Sequence, residues 1–363
     1  MSSVAPRPWF RAATETLARR AGPEDAEQIA ALLARHYGLA GEIIPLSSEV
    51  ERTSEVRLPD GRALIFKTAT RPEAVDSFRF QSAALAGVRG GTDAAVPEVL
   101  PTLSGGLMFE AEGVCGYLQT RLEGEALHRV PLTPQLIFET GVALARLDAA
   151  LARVKIHTAR RPVLWNITCW PHLMEFAPHL PPGPLVDHVH AAMADYSARI
   201  LPQLHELDWQ ITHNDPSPHN MILTRVGPGF IDFGDGGWNP RLQDLAIAAG
   251  HLVTDATQPL GGAAPLVAGY ASVHPLTRQE TGILVGLMRA RQAALILINR
   301  WRSHLFPDEA AYINKNLARA ERGLAILSSL DAAAAETAVE AAVDAATALP
   351  HHSSHPYQTG QTR

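Results

Sequence analysis

The stretch "ITHNDPSPHNMIL", residues 211–223, decides how this chain is read. Apolar residues on both sides bracket His213, Asp215 and Asn220, with Pro216 and Pro218 between them. Each proline fixes one φ angle, so the loop presents Asp215 and Asn220 on a stiffened backbone. Shortly afterwards "FIDFGDGG", residues 230–237, ends an apolar run on Asp232. Carboxylate and amide oxygens on such loops are hard donors, and Mg²⁺ combines donors of this kind with phosphate and water oxygens. On this reading Asn220 and Asp232 are metal ligands, Asn220 contributing an oxygen without adding negative charge beside phosphates. Asp215 is then left to accept a hydrogen bond from an acceptor hydroxyl, orient it, and take its proton late. His213 hydrogen-bonds backbone and fixes the loop.

A single Asp in "DFG" is as readily a turn residue. The joint pattern H-x-D-x-x-x-x-N, followed by D-F-G between apolar runs, is the arrangement of the protein-kinase catalytic and metal loops.

Composition bounds the rest. The 363 residues suffice for two lobes with real cores. Hydrophobic residues make up 46% and charged residues 19%, an ordinary globular balance, and the sequence shows no apolar run of bilayer length. A net charge of −6 argues against non-specific nucleic-acid binding. Cys115 and Cys169 lie far apart without CxxC spacing, which fits a reducing cytoplasm rather than a disulfide framework. No membrane partner is expected, and oligomeric state is not legible. The cations are lopsided, with three lysines, Lys67, Lys155 and Lys315, against 28 arginines. Lys67 follows the apolar run "ALIF", where a cation is costly unless paired.

The coarse order predicts an α+β, two-lobed chain. Residues 1–40 form an N-terminal helical extension; their Arg-rich start faintly resembles a transit peptide, but a short helix is the better reading. Residues 23–39 carry helical periodicity ended by Gly38. Residues 41–118 form a small β-rich lobe with a hairpin turning at Asp60-Gly61 and one helix over 74–88. Residues 119–124 connect to a mainly helical lobe over 125–350, with helices expected at 134–152, 184–207, 277–305 and 309–330 and short strands around the two motifs. Residues 351–363 read as a disordered tail. Clefts between lobes are common small-molecule sites.

With "HNDPSPHNMIL", "GFIDFGDGGWNPRLQDLAIA", "FQSAALAGV", "VPEVLPTLSG" and "LARLDAAL", the chain resembles the aminoglycoside phosphotransferase superfamily of small-molecule kinases. "VLWNI" and "GYASVHPLTRQE" bring it closest to the hydroxylysine kinase-type branch. The likeness spans roughly residues 40 to 330. It implies a protein-kinase-like fold, ATP or GTP as donor, Mg²⁺, and an alcohol acceptor, often on an amino acid or amino alcohol. It assigns Asp215 as catalytic base, Asn220 and Asp232 as metal ligands, and Lys67 as the phosphate-pairing lysine. The backbone around Gln119, Arg121 and Leu122 would meet the nucleotide base, and Ser48 in the covering segment would cap phosphates.

Several positions depart from the family pattern. Gln81 stands where a glutamate usually pairs the lysine. The covering segment "PLSSEVERTSEV" has no glycine. Asn214 replaces a common glycine, and Asp148 a common histidine. Asp235 either meets a second metal or anchors its loop.

For the acceptor, residues 245–330 carry eight Arg and Lys against five Asp and Glu, unlike a site built for polycations. Arg291 lies inside an apolar helical stripe. It binds a substrate carboxylate or phosphate, or it pairs internally with Asp244 or Asp255. Trp165 either walls the acceptor pocket or fills core. The function expected is phosphoryl transfer to an alcohol on a small amino-acid-like or amino-alcohol molecule. An antibiotic-inactivating kinase and a catalytically dead nucleotide-binding regulator are the alternatives.

Overall fold

A computed structural model describes residues 4–348 apart from 21, 23, 24 and 49, with the side chains of 347 and 348 also outside the description. The expected tail at 351–363 and the first residues of the expected 23–39 helix lie outside the described residues.

Five strands make an antiparallel path in the small lobe, in the order β1 (Glu42–Leu46), β2 (Arg52–Arg57), β3 (Ala63–Ala69), β6 (Val114–Thr120) and β4 (Val99–Leu100), with β5 (Phe109–Ala111) also on β6. The β2–β3 hairpin turns where Asp60-Gly61 predicts, and Gly61 adopts φ 88°. That conformation is open to glycine at no steric cost. Helix α2 (Ala26–Tyr37) packs Ile29, Leu33 and Tyr37 against Val56, Leu64 and Phe66 on one sheet face. Helix α3 (Glu73–Val88) covers the other face, where Phe78 meets Tyr117 of β6 at 5.5 Å between ring centroids. Lys67 sits on β3 opposite Tyr117, so sheet register and helix packing together place its side chain beneath α3.

After β6 the chain crosses to β7 (Glu125–Ala126), which already belongs to the large lobe. It pairs with β9 (Met221–Thr224), itself paired with β10 (Gly227–Phe230). A second ribbon joins β8 (Trp209–Thr212) to β11 (Gly237–Pro240). The two motif loops leave β8 and β10, so the two ribbons fix their separation.

The rest is helical: α4 (Pro134–Leu151), α5 (Pro184–Asp195), α6 (Leu242–Leu252), α7 (Ala264–Val273), α8 (Arg278–Leu305), α9 (Ala310–Ile313), α10 (Leu317–Ser328) and α11 (Ala332–Ala348). Helices α4 and α7 interlock through glycines. A Cβ at Gly141 would sit 2.1 Å from the Leu266 carbonyl, and one at Gly269 would sit 1.9 Å from that of Phe138. Helix α8 starts on a capping box in which Thr277 and Glu280 bond each other's backbone N–H. Its apolar stretch is long enough for a bilayer, contrary to the expectation that no such run exists, yet 89% of that window is buried inside the protein. At about 1.5–3 kcal/mol per fully buried large apolar side chain, Leu284, Leu287, Met288, Leu297 and Ile298 make α8 the spine of the lobe.

Two expected helices are broken. The 184–207 segment is α5, then a π turn at Tyr196–Ile200 and a 3₁₀ segment at Leu201–Glu206. Pro202 has no N–H for the helical ladder, which accounts for the change of pitch. The 309–330 segment divides into α9 and α10 around a 3₁₀ turn at Asn314–Asn316.

Helix α1 (Arg7–Leu17) packs on the large lobe, where Phe10 meets Phe176 and the Ala5 N–H donates to the Thr168 carbonyl. Arg19, just beyond it, reaches Glu73 of α3 at 2.9 Å, and Arg20 reaches Glu309 at 3.2 Å. The N-terminal segment therefore straps both lobes. Cys115 and Cys169 are free and buried.

Candidate active site

The two motif loops meet in an interlobe cleft of about 740 Å³. Asp215, Asn220, Asp232, Asp235, Lys67, Ser48, Gln119, Arg121, Leu122, Trp165 and Arg291 all line it. Of the expected site residues, only Gln81 stands behind the lining, fully buried under α3.

The loop after β8 is held from beneath. Asp244, at the first turn of α6, accepts the backbone N–H groups of His213 and Asn214, each at 2.7 Å. His213 bonds the Ile231 carbonyl at 2.9 Å and receives the Asp215 N–H at 3.3 Å, tying the first motif loop to the second. Burial lowers the His213 pKa despite the nearby Asp244 carboxylate, so the ring is neutral. Asn214 adopts φ +66°, a left-handed conformation that asparagine tolerates better than most residues. Its side chain donates to the Asp235 carbonyl at 2.9 Å and accepts from Gln243. The asparagine thus serves where a glycine would fit and adds a tether between the loops.

Asp148 lies below this framework, buried on α4. Its Oδ2 accepts the Tyr270 hydroxyl at 2.6 Å. Burial, and then the charge of Asp244, push its pKa well above the ordinary carboxylate range. Burial raises the Asp244 pKa too, while His213 and the two loop N–H groups act to lower it, so Asp148 is the carboxyl that holds a proton and Asp244 the one that caps the loop. Neither Asp244 nor Asp255 is the partner of Arg291.

At the reacting end, Asn220 Nδ2 donates to Asp215 Oδ2 at 2.6 Å and to the Asp215 carbonyl at 3.2 Å. That bond leaves the amide oxygen of Asn220 for a cation. Asp232 takes φ +62°, and half of its side chain stays accessible in the cleft. Its Oδ1 receives Lys67 Nζ at 2.8 Å and the Gly234 N–H at 3.3 Å. Its protein surroundings disfavour its charge, but the Lys67 ammonium overrides them and holds the carboxyl below its usual range. Burial likewise disfavours the Lys67 charge, and Asp232, Tyr117 and Glu51 reverse that, raising its pKa.

The donor set fits a hard divalent cation. Among the described residues no group of three or more His, Cys, Asp or Glu is clustered for a metal. A cation at Asp232 and Asn220 would therefore complete its shell with phosphate oxygens and water, the habit of Mg²⁺.

Arg161, which the sequence reading passed over, braces the second loop. It donates to the Gly236 carbonyl at 2.6 Å and to the Gly234 carbonyl, and it lies 4.3 Å from the Phe80 ring centroid. Burial pulls its pKa down to about 10. Ala12, Ala13, Thr16 and Leu17 of the N-terminal strap also wall the cleft. Their sequence gives no motif, because only tertiary packing brings them there.

Arg291 reaches Asp215 Oδ1 with Nη2 at 3.4 Å, and its guanidinium lies 4.7 Å from the Trp165 ring centroid. Its side chain is 5% exposed, and its buried Nε and Nη1 have no protein partner. Trp165 is buried and also borders the cleft, so it fills core with one edge and supports Arg291 with its face.

A family model described as a phosphotransferase enzyme family matches residues 42–279, which include the strand lysine and both motif loops. The chain belongs to this phosphotransferase family. Hydroxylysine kinase of Danio rerio is 26% identical over 326 residues, covering 84% of this chain and 90% of the relative. Hydroxylysine kinase of Xenopus laevis is 26% identical over 230 residues, covering 59% and 61%. An amicoumacin kinase solved with AMP-PNP and Ca²⁺ has the same fold, with a TM-score of 0.64 at 13% identity over 85% of this chain and 95% of that one. A microcompartment-associated aminopropanol kinase matches with a TM-score of 0.57 at 17% identity over 84% and 97%. This phosphotransferase is a protein-kinase-like, two-lobed enzyme that moves phosphate to an alcohol on a small molecule.

Proposed function

We propose that this phosphotransferase moves the γ-phosphate of ATP or GTP, with Mg²⁺, to the hydroxyl of a small amino-acid-like molecule that carries a carboxylate. The observation that carries the acceptor assignment is Arg291. A buried guanidinium on the cleft wall reaches Asp215 with Nη2 alone and keeps two donors, Nε and Nη1, without a protein partner. Leaving charged donors unmet in a buried site is costly, and a substrate carboxylate meets guanidinium donors in a fork. The hydroxylysine kinase relatives support an amino-acid acceptor, and the aminopropanol kinase fold keeps amino alcohols in view.

Each side chain then has one task. Asp215 orients the acceptor hydroxyl and takes its proton as the bond to phosphorus forms. Asn220 fixes the Asp215 carboxylate through its amide N–H, and its oxygen, with the Asp232 carboxylate, would hold the metal. Lys67 pairs with donor phosphates. When bound, the cation neutralises charge on the transferring group. Ser48 caps phosphates, while Gln119, Arg121 and Leu122 border the base at the strand-to-lobe crossing. Asp235, tethered through its carbonyl to Asn214, anchors the second loop.

The surroundings of Arg291 argue against a polycationic acceptor. Burial lowers the pKa of neighbouring His251 well below its usual value, and the charges of Arg291 and Arg319 lower it further, so two guanidinium groups stand near this wall. The presence of base, lysine and both metal ligands in one cleft argues against a dead kinase. Two free buried cysteines support a cytoplasmic setting. The test is a nucleotide-consumption screen over hydroxylated amino acids, amino alcohols, nucleosides and aminoglycosides. A hydroxylated acid is expected to turn over, and its amide or methyl ester to turn over poorly. An aminoglycoside as the best acceptor would overturn the assignment.

A further inference from the structure

Lys67 has a second carboxylate in reach, and it comes from an unexpected part of the chain. Glu51 lies in the segment between β1 and β2 that covers the phosphate end of the cleft, and its Oε2 is 3.3 Å from Lys67 Nζ. Its Oε1 accepts Gln81 Nε2 at 2.6 Å and the Ser77 hydroxyl at 3.1 Å. Gln81 turns its oxygen the other way, to Lys67 Nζ at 3.0 Å and the Tyr117 hydroxyl at 2.9 Å. Its Nε2 also donates to Ser77 Oγ at 3.0 Å. The Glu51 side chain is 11% exposed and that of Lys67 is 7% exposed, so the cluster is largely shut off from water.

We infer that Glu51 is the positioning carboxylate of Lys67, with the covering segment supplying the charge that an amide at position 81 lacks. A buried ammonium needs a carboxylate, and Asp232, the other one in contact, is the residue that the proposed function assigns to the metal. Once Asp232 turns to a cation, Glu51 is the described carboxylate left to hold Lys67 at the phosphates. Gln81 works as the relay: its N–H₂ fixes Glu51 and its oxygen fixes Lys67. The covering segment is thereby docked on α3 by the same bonds that aim the lysine, so nucleotide affinity and the seating of this segment depend on one cluster.

The network has a symmetry that gives the test. Exchanging the two residues, as Glu51→Gln with Gln81→Glu, keeps every bond: the new carboxylate at 81 accepts from Lys67 and Tyr117, and the new amide at 51 donates to it. The inference rests on the nucleotide-binding reading of the cleft, so wild-type protein is first titrated with MgATP and MgGTP by calorimetry. If neither binds, the proposed function fails and this inference falls with it. With the tighter nucleotide, Glu51→Gln alone is expected to weaken binding about tenfold or more, and the exchanged double variant to recover to within about threefold of wild type. Glu51→Asp keeps the charge but shortens its reach, and it should weaken binding severalfold, an independent reading if the neutral variant folds poorly. Wild-type affinity in Glu51→Gln, or a double variant no tighter than Glu51→Gln, overturns the inference while leaving the proposed function intact. A side chain that merely supported the fold would not be rescued by moving its charge to α3.

Discussion

Lys67 Nζ lies 2.8 Å from Asp232 Oδ1, an ion pair that joins strand β3 of the small lobe to the loop after β10 of the large one. The pair closes the cleft floor and sets two charges where a phosphate and a cation would each claim one. Replacing Asp232 by Asn removes the carboxylate assigned to the metal and leaves Lys67 with Glu51. Turnover is expected to fall at least about a thousandfold, a loss of roughly 4 kcal/mol of transition-state stabilisation. Steady-state kinetics at saturating nucleotide and Mg²⁺ measures it, and a loss under tenfold would remove Asp232 from the metal site.

Arg291 gives a prediction on the acceptor side. Arg291→Gln should raise KM for a carboxylate-bearing acceptor about 10- to 100-fold, the span expected from losing a charged hydrogen-bonding pair of roughly 1.5–3 kcal/mol. The nucleotide KM should move little. Arg291→Lys should not restore function, because an ammonium cannot offer the fork. The comparison to make is acid against amide of the same acceptor: wild type should favour the acid, and Arg291→Gln should lose that preference.

Asp148 predicts a pH dependence of stability. Burial, and then the charge of Asp244, raise its pKa well above the ordinary carboxylate range, so the folded state holds a proton that the unfolded chain releases. Stability therefore falls as pH rises from the unfolded carboxylate value toward the raised folded one, at up to about 1.4 kcal/mol per pH unit for one group. Asp148→Asn removes that proton linkage. Urea unfolding should show the variant gaining on wild type as pH rises from 4 to 8, so that its relative stability is lowest at pH 4 and highest at pH 8. A difference that does not change with pH would show that Asp148 is ionised in the folded protein.

Asp244 should matter through the backbone it caps. Asp244→Ala frees the His213 and Asn214 N–H groups inside the protein, each now bonded at 2.7 Å. At about 1.5–3 kcal/mol for a hydrogen bond to a charged group, the variant should lose roughly 3–6 kcal/mol, read as a lower urea midpoint with the slope unchanged.

Much of this site was legible because its parts are local. Asp215 and Asn220 stand on one proline-braced loop, and Asp232 ends the next apolar run, so spacing alone associates them. Lys67 stood out because lysine is rare in this chain and follows an apolar run. What stayed hidden is what sequence distance hides. Glu51 sits in an undistinguished polar segment; the available signal was Gln81, an amide where a buried lysine needs charge. The wall made by Ala12, Thr16 and Leu17 depends on how α1 packs. The apolar period over 184–207 reads as one helix, but Pro202 lacks the N–H that would continue the ladder, and the segment changes pitch there. Asp148 and Asp244 act on each other's charge because α4 and α6 meet beneath the loop, a contact that sequence distance hides.

The central claim is that Asp215 takes the proton from an acceptor hydroxyl in a cleft that holds a magnesium nucleotide. Its most direct measurement is single-turnover phosphoryl transfer by Asp215→Ala, with the best acceptor from the substrate screen and nucleotide binding checked in parallel. Nucleotide affinity is expected to stay near wild type while transfer slows at least about a hundredfold; transfer at close to the wild-type rate would rule out proton removal by Asp215.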